Sequence, residues 1–389
     1  MSATLPGEAL RVCTRCIYDE RTPGVSFDEA GICNYCRQVE DLERQYATGK
    51  PEGERELARI IEEIKASGRG RKYDCVIGVS GGTDSSYLLI RALEWGLRPL
   101  AVHYDNTWNS AIATENIRKV TTALKVDLYT HVVDNRESED IYRAFLRAGV
   151  PEFDASTDIA FVQTLRSVAA KVGVRYILEG HSFKAEGIAP IGKNYFDGRY
   201  IEDIHARFGE RPLKTYPNLT FWQFMKWVLV YRQRFIRPLW YIDYSKAEAR
   251  RILEERTGWK YYGGHHLENR ATAFLHTVYN PERFGLDNRN LALGAEARAG
   301  LISHEEALHI YRTPLKPDPE LVAYVKKRLG LSDEEYQRLM TAPLRSYRDF
   351  KTYKRRFERL RPMFYVLAKS NLVPMSFYLK YCFPQGARP

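Results

Sequence analysis

Residues 73–86 read Tyr-Asp-Cys-Val-Ile-Gly-Val-Ser-Gly-Gly-Thr-Asp-Ser-Ser, and this stretch decides the fold. Its first half, residues 73–79, is an apolar run of the length expected for a buried strand. Its second half carries a pair of glycines and leads into an apolar segment, residues 87–95, that predicts a helix. Glycines allow a ligand close to the backbone, and the N-terminus of a helix attracts negative charge. The stretch therefore predicts a phosphate-binding loop between a strand and a helix.

Asp84 is an acidic residue inside this predicted anion site. A carboxylate is expected there if a magnesium ion joins it to bound phosphates. The spacing matches neither the lysine-containing loop of common nucleoside triphosphatases nor the glycine pattern of dinucleotide-binding proteins. A serine-rich helix cap is the structural alternative. We expect Asp84 to be catalytic and the whole loop to bind the nucleotide: Ser80, Gly81, Gly82, Thr83, Asp84, Ser85 and Ser86.

The chain beyond the loop alternates between strand and helix patterns. Strands are predicted over residues 98–104, 127–133 and 175–179, and a helix over residues 156–172. Such alternation is typical of a doubly wound parallel sheet, which is an α/β fold. Ligands of these sheets bind at the carboxyl ends of the strands.

Four of the six cysteines lie close together near the N-terminus. Cys13 and Cys16 form one Cys-x-x-Cys pair, and Cys33 and Cys36 form a second pair sixteen residues later. This spacing directs four thiolates at one ion and predicts a structural zinc (Zn²⁺) site with no open coordination position. Disulfides and an iron–sulfur cluster are the alternatives.

Composition and charge narrow the class of protein. The 389 residues are 44% hydrophobic and 28% charged, which excludes a disordered or collagen-like chain. Residues 1–10 lack the pattern of a signal peptide, and the apolar stretch 363–382 is interrupted by polar residues, so we expect a soluble, cytoplasmic protein. Most of the net charge of +10 lies after residue 264, which suits an anionic partner.

The loop resembles the signature of the ATP pyrophosphatases, or PP-loop enzymes, a superfamily that includes NAD synthetase and the tRNA thiolation and lysidine enzymes. The resemblance implies that ATP, with Mg²⁺, is cleaved between its α- and β-phosphates to adenylate an acceptor oxygen. It also implies a nucleoside contact at Asp105 and closure of the ATP pocket by Gly180 and His181. The Arg-Pro-Leu segment at residues 237–239 is similar to one shared by these enzymes.

The C-terminal half carries a second resemblance. Residues 258–269, 279–289 and 299–308, together with the cysteine pairs and the loop, resemble the N-acetyl-sugar amidotransferase family of the WbpG and PseA type. The sequence departs from that family's pattern at residues 264–267, where a lysine and a Glu-Ser pair are commoner. Members convert an acetamido group of a nucleotide-activated sugar into an acetamidino group, for bacterial surface polysaccharide (lipopolysaccharide O-antigen) or flagellin glycans.

This resemblance implies both an organisation and partners for the chain. It predicts a zinc-ribbon module over residues 1–48, an ATP pyrophosphatase domain over 49–262 and a helical C-terminal domain over 263–389. The substrate would be a UDP- or CMP-linked diacetamido sugar. Because the sequence has no nucleophilic cysteine in a tight glycine turn, ammonia should come from a partner pair, a glutaminase and a barrel resembling imidazole glycerol phosphate synthase. No nucleic acid is expected.

Two other functions stay open at this point. A tRNA-modifying enzyme of the thiolase or lysidine type would explain the basic surplus and the cysteine pairs. Thiolation, however, needs reactive cysteines or an iron–sulfur site near the ATP, and only Cys75 and Cys382 lie outside the predicted zinc site. A non-catalytic ATP-binding sensor would leave Asp84 and the paired serines without a role.

Some side chains near the predicted pocket have open roles. His181 and Lys184 are catalytic candidates, since an imidazole can move protons and a lysine can offset phosphate charge, although Lys184 is equally well an exposed loop residue. His265 and His266 are adjacent and therefore do not point at one metal together. Residues 150–156 and 183–199 are predicted loops over the pocket mouth.

The basic segment at residues 345–361 holds eight basic side chains against Asp349 and Glu358. Its aromatic residues recur every three or four positions, so a helix here would bury an aromatic stripe and expose a basic face. A solvated face, a surface for a protein partner, a peripheral membrane contact and a tRNA contact all remain open.

Overall fold

The computed structural model describes residues 10–190, 194–263 and 268–383. Its centre is a five-stranded sheet in the order β3-β2-β1-β4-β5, in which every neighbouring pair is parallel. The doubly wound parallel α/β fold predicted from the sequence is confirmed. The strands are β1 Cys75–Gly78, β2 Pro99–Asp105, β3 Leu128–Val132, β4 Tyr176–Leu178 and β5 Arg234–Ile236.

Helices precede, connect and follow these strands. The first ten are α1 Asn34–Tyr46, α2 Pro51–Ser67, α3 Thr83–Glu94, α4 Ala111–Leu124, α5 Asn135–Ala148, α6 Ala155–Lys171, α7 Phe183–Glu186, α8 Gly198–Phe208, α9 Phe221–Met225 and α10 Lys246–Thr257. The C-terminal region adds α11 Arg270–Phe274, α12 Asn280–Phe284, α13 Arg289–Arg298, α14 His304–Arg312, α15 Pro319–Leu329, α16 Asp333–Thr341, α17 Lys354–Arg359, α18 Arg361–Lys369 and α19 Met375–Tyr381. Two π-helical turns, Lys226–Val230 and Leu275–Tyr279, continue α9 and α11.

The sheet is covered on both faces because successive side chains of a strand point to opposite sides. Cys75 and Ile77 of β1 join the cluster that contains α2, α3 and α10. Val76 between them joins the cluster built on α6. Burial of β1 on both faces explains why its sequence is an uninterrupted apolar run.

Helix α3 begins earlier than the sequence predicted, at Thr83. Gly82 has the extended backbone of an N-cap residue, so Thr83 and the three residues after it form the first turn. Much of the predicted loop is therefore the N-terminus of a helix, with amide groups that have no carbonyl partner within α3.

The basic segment 345–361 does not form the single helix considered from its sequence. Tyr347–Asp349 is a 3₁₀ turn, α17 ends at Arg359, and α18 begins at Arg361 with Pro362 in its first turn. Proline lacks the N–H of an interior helical residue and fits the first turn of a new helix. As a result Phe350 joins one core cluster, while Phe357 and Phe364 join another.

Candidate active site and metal centre

The order of the strands indicates where a ligand would bind. After β1 the chain builds β2 and β3 on one side, then crosses to form β4 and β5 on the other. The reversal point lies between the carboxyl ends of β1 and β4, where doubly wound sheets bind ligands. The loop that follows β1 and Gly180-His181 after β4 both lie there.

The loop is fixed by contacts that only glycine permits. Gly81 has a φ of +82°, and a Cβ at this position would lie 2.4 Å from the carbonyl oxygen of Ala113. The Trp259 indole donates to the Gly81 carbonyl at 2.9 Å. A Cβ on Gly180 would lie 2.8 Å from the backbone of Asp84 and Ser85. Gly180 therefore lets the β4–α7 connection pass directly over the N-terminus of α3.

Two hydroxyls shape the loop from inside. The Ser80 amide donates to Ser85 Oγ at 3.4 Å, and the Gly82 amide donates to Ser80 Oγ at 3.3 Å. These contacts hold the chain in a tight curve before α3. The remaining amides of the first helical turn are oriented as in other anion-binding helix N-termini.

Asp84 lies among charged groups that come from later parts of the chain. Tyr244 donates a hydrogen bond to its carboxylate, and Lys246 Nζ lies 3.5 Å from Asp84 Oδ2 and 3.9 Å from Glu186 Oε1. Burial and, secondly, the charge of Glu186 raise the pKa of Asp84 to about 7, although Lys246 opposes this shift. Two carboxylates and one lysine at the end of an anion-binding loop form a suitable site for a metal–phosphate complex.

His181 is held as a neutral imidazole. The Trp240 indole, which can only donate, bonds to His181 Nδ1 at 3.2 Å, so the proton lies on Nε2. Nε2 lies 3.6 Å from a carboxylate oxygen of Glu186. Partial burial, followed by the charge of Arg237, lowers the pKa of His181. A neutral His181 is a hydrogen-bond donor toward the site rather than a cation.

Two other predicted residues have different surroundings. Lys184 pairs with Asp243 at 2.7 Å, and Asp243 is largely exposed, so this lysine does not face Asp84. Asp105 lies at the carboxyl end of β2, where its carboxylate accepts from the Thr107 amide at 2.7 Å. Within the described residues no hydrogen bond or ion pair joins Asp105 to the loop.

Sequence reasoning missed Tyr244, Lys246 and Glu186 as site residues. Ser245 caps α10 by accepting from the Glu248 amide, which places Lys246 at the first position of the helix. Only the fold shows that this helix end meets Asp84.

Helix α7, which carries Glu186, is packed between distant parts of the chain. Its Phe183 meets Trp240 at a ring distance of 5.1 Å and clusters with Val39 of α1. On the other side, the backbone of Leu291 closely approaches Gly187. The cysteine-rich region and the C-terminal helices therefore both support the wall of the site.

The four cysteine sulfurs form a compact, fully buried group. Cys13 Sγ and Cys36 Sγ are 3.8 Å apart, Cys16 Sγ and Cys33 Sγ are 3.7 Å apart, and all four lie within 4.8 Å of one another. Zinc–sulfur bonds of about 2.3 Å in a tetrahedron require sulfur separations of about 3.8 Å. A cubane cluster would spread the sulfurs farther apart, because each sulfur binds its own iron. The group's donors are those of a metal site, and its spacing fits a single ion.

Further groups stabilise the thiolates. The amides of Cys16 and Cys33 donate to Cys13 Sγ at 3.4 and 3.2 Å. Arg298 Nε, from α13, lies 3.3 Å from Cys36 Sγ, and its positive charge offsets the negative charge of a tetrathiolate site. His304 Nε2 lies 2.8 Å from the Cys13 carbonyl oxygen. The metal site is thereby attached to the C-terminal helices.

Two sequence predictions fall outside the described residues. His265 and His266 lie in the segment 264–267, and part of the predicted pocket-mouth loop lies at residues 191–193. Glu268, directly after the first segment, lies close to Gly82. Among the described residues, no helix is both long and apolar enough to cross a membrane.

Comparisons with known proteins bear on the C-terminal region. Residues 268–362 match the family model of the WbpG-like C-terminal domain of LPS biosynthesis proteins. An uncharacterized protein of Methanocaldococcus jannaschii is 27% identical over 171 residues, or 43% of this chain and 58% of that protein. The chain thus spans somewhat more than half the length of the curated relative it matches.

The solved structures that match the chain are more distant in sequence. The NH3-dependent NAD synthetase of Campylobacter jejuni is 13% identical, with a TM-score of 0.32, covering 80% of this chain and 97% of that one. The U34-tRNA thiolase NcsA of Methanococcus maripaludis, solved with its [4Fe-4S] cluster, is 12% identical, with a TM-score of 0.32, covering 84% and 100%. Superpositions at these scores carry no functional argument. The family match confirms the resemblance to the WbpG type: the chain is an α/β protein with a cluster of four cysteines that could hold a metal ion, and its residues 268–362 match the WbpG-like C-terminal domain.

Proposed function

We propose that this protein is an ATP-dependent amidotransferase that converts an acetamido group of a nucleotide-activated sugar into an acetamidino group. The observation that carries the proposal is the partly buried Asp84 at the N-terminus of α3, beside Lys246 and Glu186. The WbpG-like domain supports the choice of a sugar substrate in surface-polysaccharide biosynthesis.

The chemistry requires activation of a poor electrophile. Attack of the amide oxygen on the α-phosphorus of ATP forms an O-adenylyl imidate and releases pyrophosphate. Ammonia then adds to the imidate carbon, and AMP leaves with the original oxygen, which yields the amidine. Enzymes lower the barriers of such steps by positioning the reactants and by offsetting developing charge.

The described residues have defined roles in this scheme. The amides of the first turn of α3 hold phosphate oxygens, and Lys246 offsets their charge. Asp84 and Glu186 would hold Mg²⁺, and a magnesium ion bound there would offset the charge of pyrophosphate. Neutral His181 donates a hydrogen bond from Nε2 at the rim of the site. Asp105 remains a proposed nucleoside contact, whereas Lys184, which pairs with Asp243, is given no role in this scheme.

Ammonia is proposed to come from a separate glutaminase paired with a barrel protein. Free ammonia is mostly protonated near neutral pH, so delivery through a docked partner favours the nucleophilic form. The isolated chain should therefore use ammonium salts but not glutamine.

We also propose that the four-cysteine site holds zinc in a structural role. All four sulfurs are buried, and their separations fit one tetrahedral ion. A zinc ion bound by the four cysteines would hold residues 13–36 against α13 through the contact of Arg298 with Cys36.

Modification of tRNA is the alternative function, and the cysteines weigh against its thiolase form. Cys75 lies at the amino end of β1, opposite the loop, and burial raises the pKa of its thiol. Burial also raises the pKa of Cys382 to about 12. Neither thiol has the reactive character that sulfur transfer needs. A lysidine-type reaction needs no cysteine, so the experiment below is needed to distinguish it from our proposal.

The test supplies ATP, Mg²⁺ and ammonium with diacetamido nucleotide-sugars linked to UDP or CMP, and in parallel ATP, Mg²⁺ and lysine with unmodified tRNA. We expect an amidino sugar together with AMP and pyrophosphate. Formation of AMP only with tRNA would establish the alternative, and formation of ADP would exclude adenylation.

A further inference from the structure

Two segments, residues 221–232 and 354–383, pack into one helical module far along the chain from the loop. Phe224 stacks on Phe377 at a ring distance of 5.0 Å, and Phe357 meets Phe364 at 5.3 Å. Both segments contribute to one buried cluster, which also contains Val228 and Leu367. We call these residues the basic aromatic module.

The outer surface of the basic aromatic module is unusually apolar. The module contains about a tenth of the chain but seven of the thirteen exposed large apolar side chains in the described residues. Trp222 is 74% exposed, Val230 71% and Val366 64%. The other four are Leu229, Tyr231, Tyr365 and Met375. The surfaces of soluble proteins seldom concentrate apolar side chains in this way unless they bind a partner or a membrane.

The same module is strongly basic. Its two segments hold nine lysines and arginines and one acidic residue, Glu358, which pairs with Lys354 at 3.2 Å. Among the described residues, the exposed Arg355, Arg359 and Lys369 form no ion pair. Their charge is therefore available to an external partner.

Apolar and basic groups are neighbours here. The guanidinium carbon of Arg356 lies 4.8 Å from the centroid of the Phe221 ring and 6.0 Å from that of Trp222. This contact brings the basic face of α17 to the exposed indole of the other segment. Lys226 lies in the same helical stretch as Leu229 and Val230.

We propose that the basic aromatic module binds the surface of a membrane that contains anionic phospholipids. An exposed tryptophan with aliphatic neighbours suits the boundary between headgroups and acyl chains, and lysines and arginines attract anionic headgroups. A nucleic acid is less suited, because Leu229, Val230 and Val366 cannot stack on bases as aromatic side chains do. A second copy of the chain is disfavoured by repulsion between two basic faces.

The experiment uses the full chain and vesicles of phosphatidylcholine with or without phosphatidylglycerol, at about 0.1 M salt. We expect sedimentation with the anionic vesicles and little with the neutral ones. Vesicles with brominated acyl chains should quench tryptophan fluorescence. Trp222→Phe should keep most of the binding but lose most of the quenching, because the other described tryptophans are far less exposed.

Paired variants test the apolar and the basic side chains of the module separately. Trp222→Ser with Val230→Ser should weaken partitioning at least about tenfold, and so should Arg355→Glu with Arg359→Glu. Controls outside the module, Leu301→Ser and Lys316→Glu with Lys327→Glu, also change exposed residues and should bind as the wild type does. Unchanged circular dichroism and melting temperature would show that each variant folds.

Several results would overturn the proposal. These are failure to bind anionic vesicles, equal binding to neutral vesicles, or equal loss of binding in the control variants. Vesicle-free self-association that the module variants abolish would identify the module as an interface between copies. Tight binding of tRNA that depends on the arginines but not on Val230 would identify it as a nucleic-acid surface. Because no arm measures ATP turnover, failure here leaves the proposed function unaffected.

Discussion

The cysteine cluster and the phosphate loop both start from short sequence motifs, but they are completed in different ways. All four sulfurs of the cluster come from residues 13–36, and later residues such as Arg298 only adjust their charge. The loop holds Asp84, whereas Lys246 and Tyr244 lie about 160 residues farther along the chain. A metal site can thus be complete within one motif, while a phosphate site depends on the folded sheet.

The largest expected effect concerns the cysteine cluster. Cys13→Ser or Cys36→Ser should lower the free energy of unfolding by about 3 kcal/mol or more, because binding of a structural metal contributes directly to folding. Metal analysis and thermal melting check this, and we expect about one zinc per wild-type chain. Cys75→Ser is the matched control and should retain the metal. Variants that melt normally yet have no activity would contradict a structural role.

Asp84→Asn should lower kcat/KM for pyrophosphate release about a thousandfold with the fold intact, since the neutral amide lacks the negative charge with which the carboxylate would hold Mg²⁺. The control is Asp243→Asn, which changes an exposed carboxylate that pairs with Lys184. This variant should have nearly wild-type activity. Comparable rates for the two variants would remove Asp84 from the site.

The same Asp84→Asn variant should be more stable than the wild type above about pH 7. Folding raises the pKa of Asp84 from 3.8 to about 7, so the folded state binds an extra proton between these values and wild-type stability falls as pH rises. The advantage of the variant should be absent below about pH 4 and reach roughly 1–4 kcal/mol above pH 7. Denaturant unfolding without ligands across this range measures it. A pH-independent difference would mean that the carboxyl is not buried as described.

The smallest expected difference is that between the activities of two lysine variants near the site. Lys246→Met should reduce kcat/KM about tenfold to a hundredfold, because its ammonium group lies beside Asp84 and Glu186. Lys184→Met should change it less than about threefold, because Lys184 pairs with exposed Asp243. Steady-state kinetics with saturating ammonium decides between them, and equal losses would show that both lysines face the phosphates.

Sequence reasoning succeeded where function depends on neighbouring residues. The apolar run of β1, the glycines before α3 and the cysteine spacing each specify local geometry, and the alternating pattern predicted the parallel sheet. It failed where two distant segments meet. Lys246 has no local feature that distinguishes it from other helix-terminal lysines, and the direction of Lys184 depends on where Asp243 lies. The helix boundary at Leu360 was within reach of the sequence, because Pro362 cannot lie in a helix interior.

The central claim is that the loop of Ser80 to Ser86 activates an amide oxygen by adenylation. The most direct measurement follows the fate of that oxygen, using a diacetamido nucleotide-sugar with a heavy-oxygen label in its acetamido carbonyl, together with ATP, Mg²⁺ and ammonium. Mass spectrometry should find the label in the phosphate of AMP, with unlabelled pyrophosphate and an amidino sugar. Label retained in the sugar, or nucleotide released as ADP, would contradict the account.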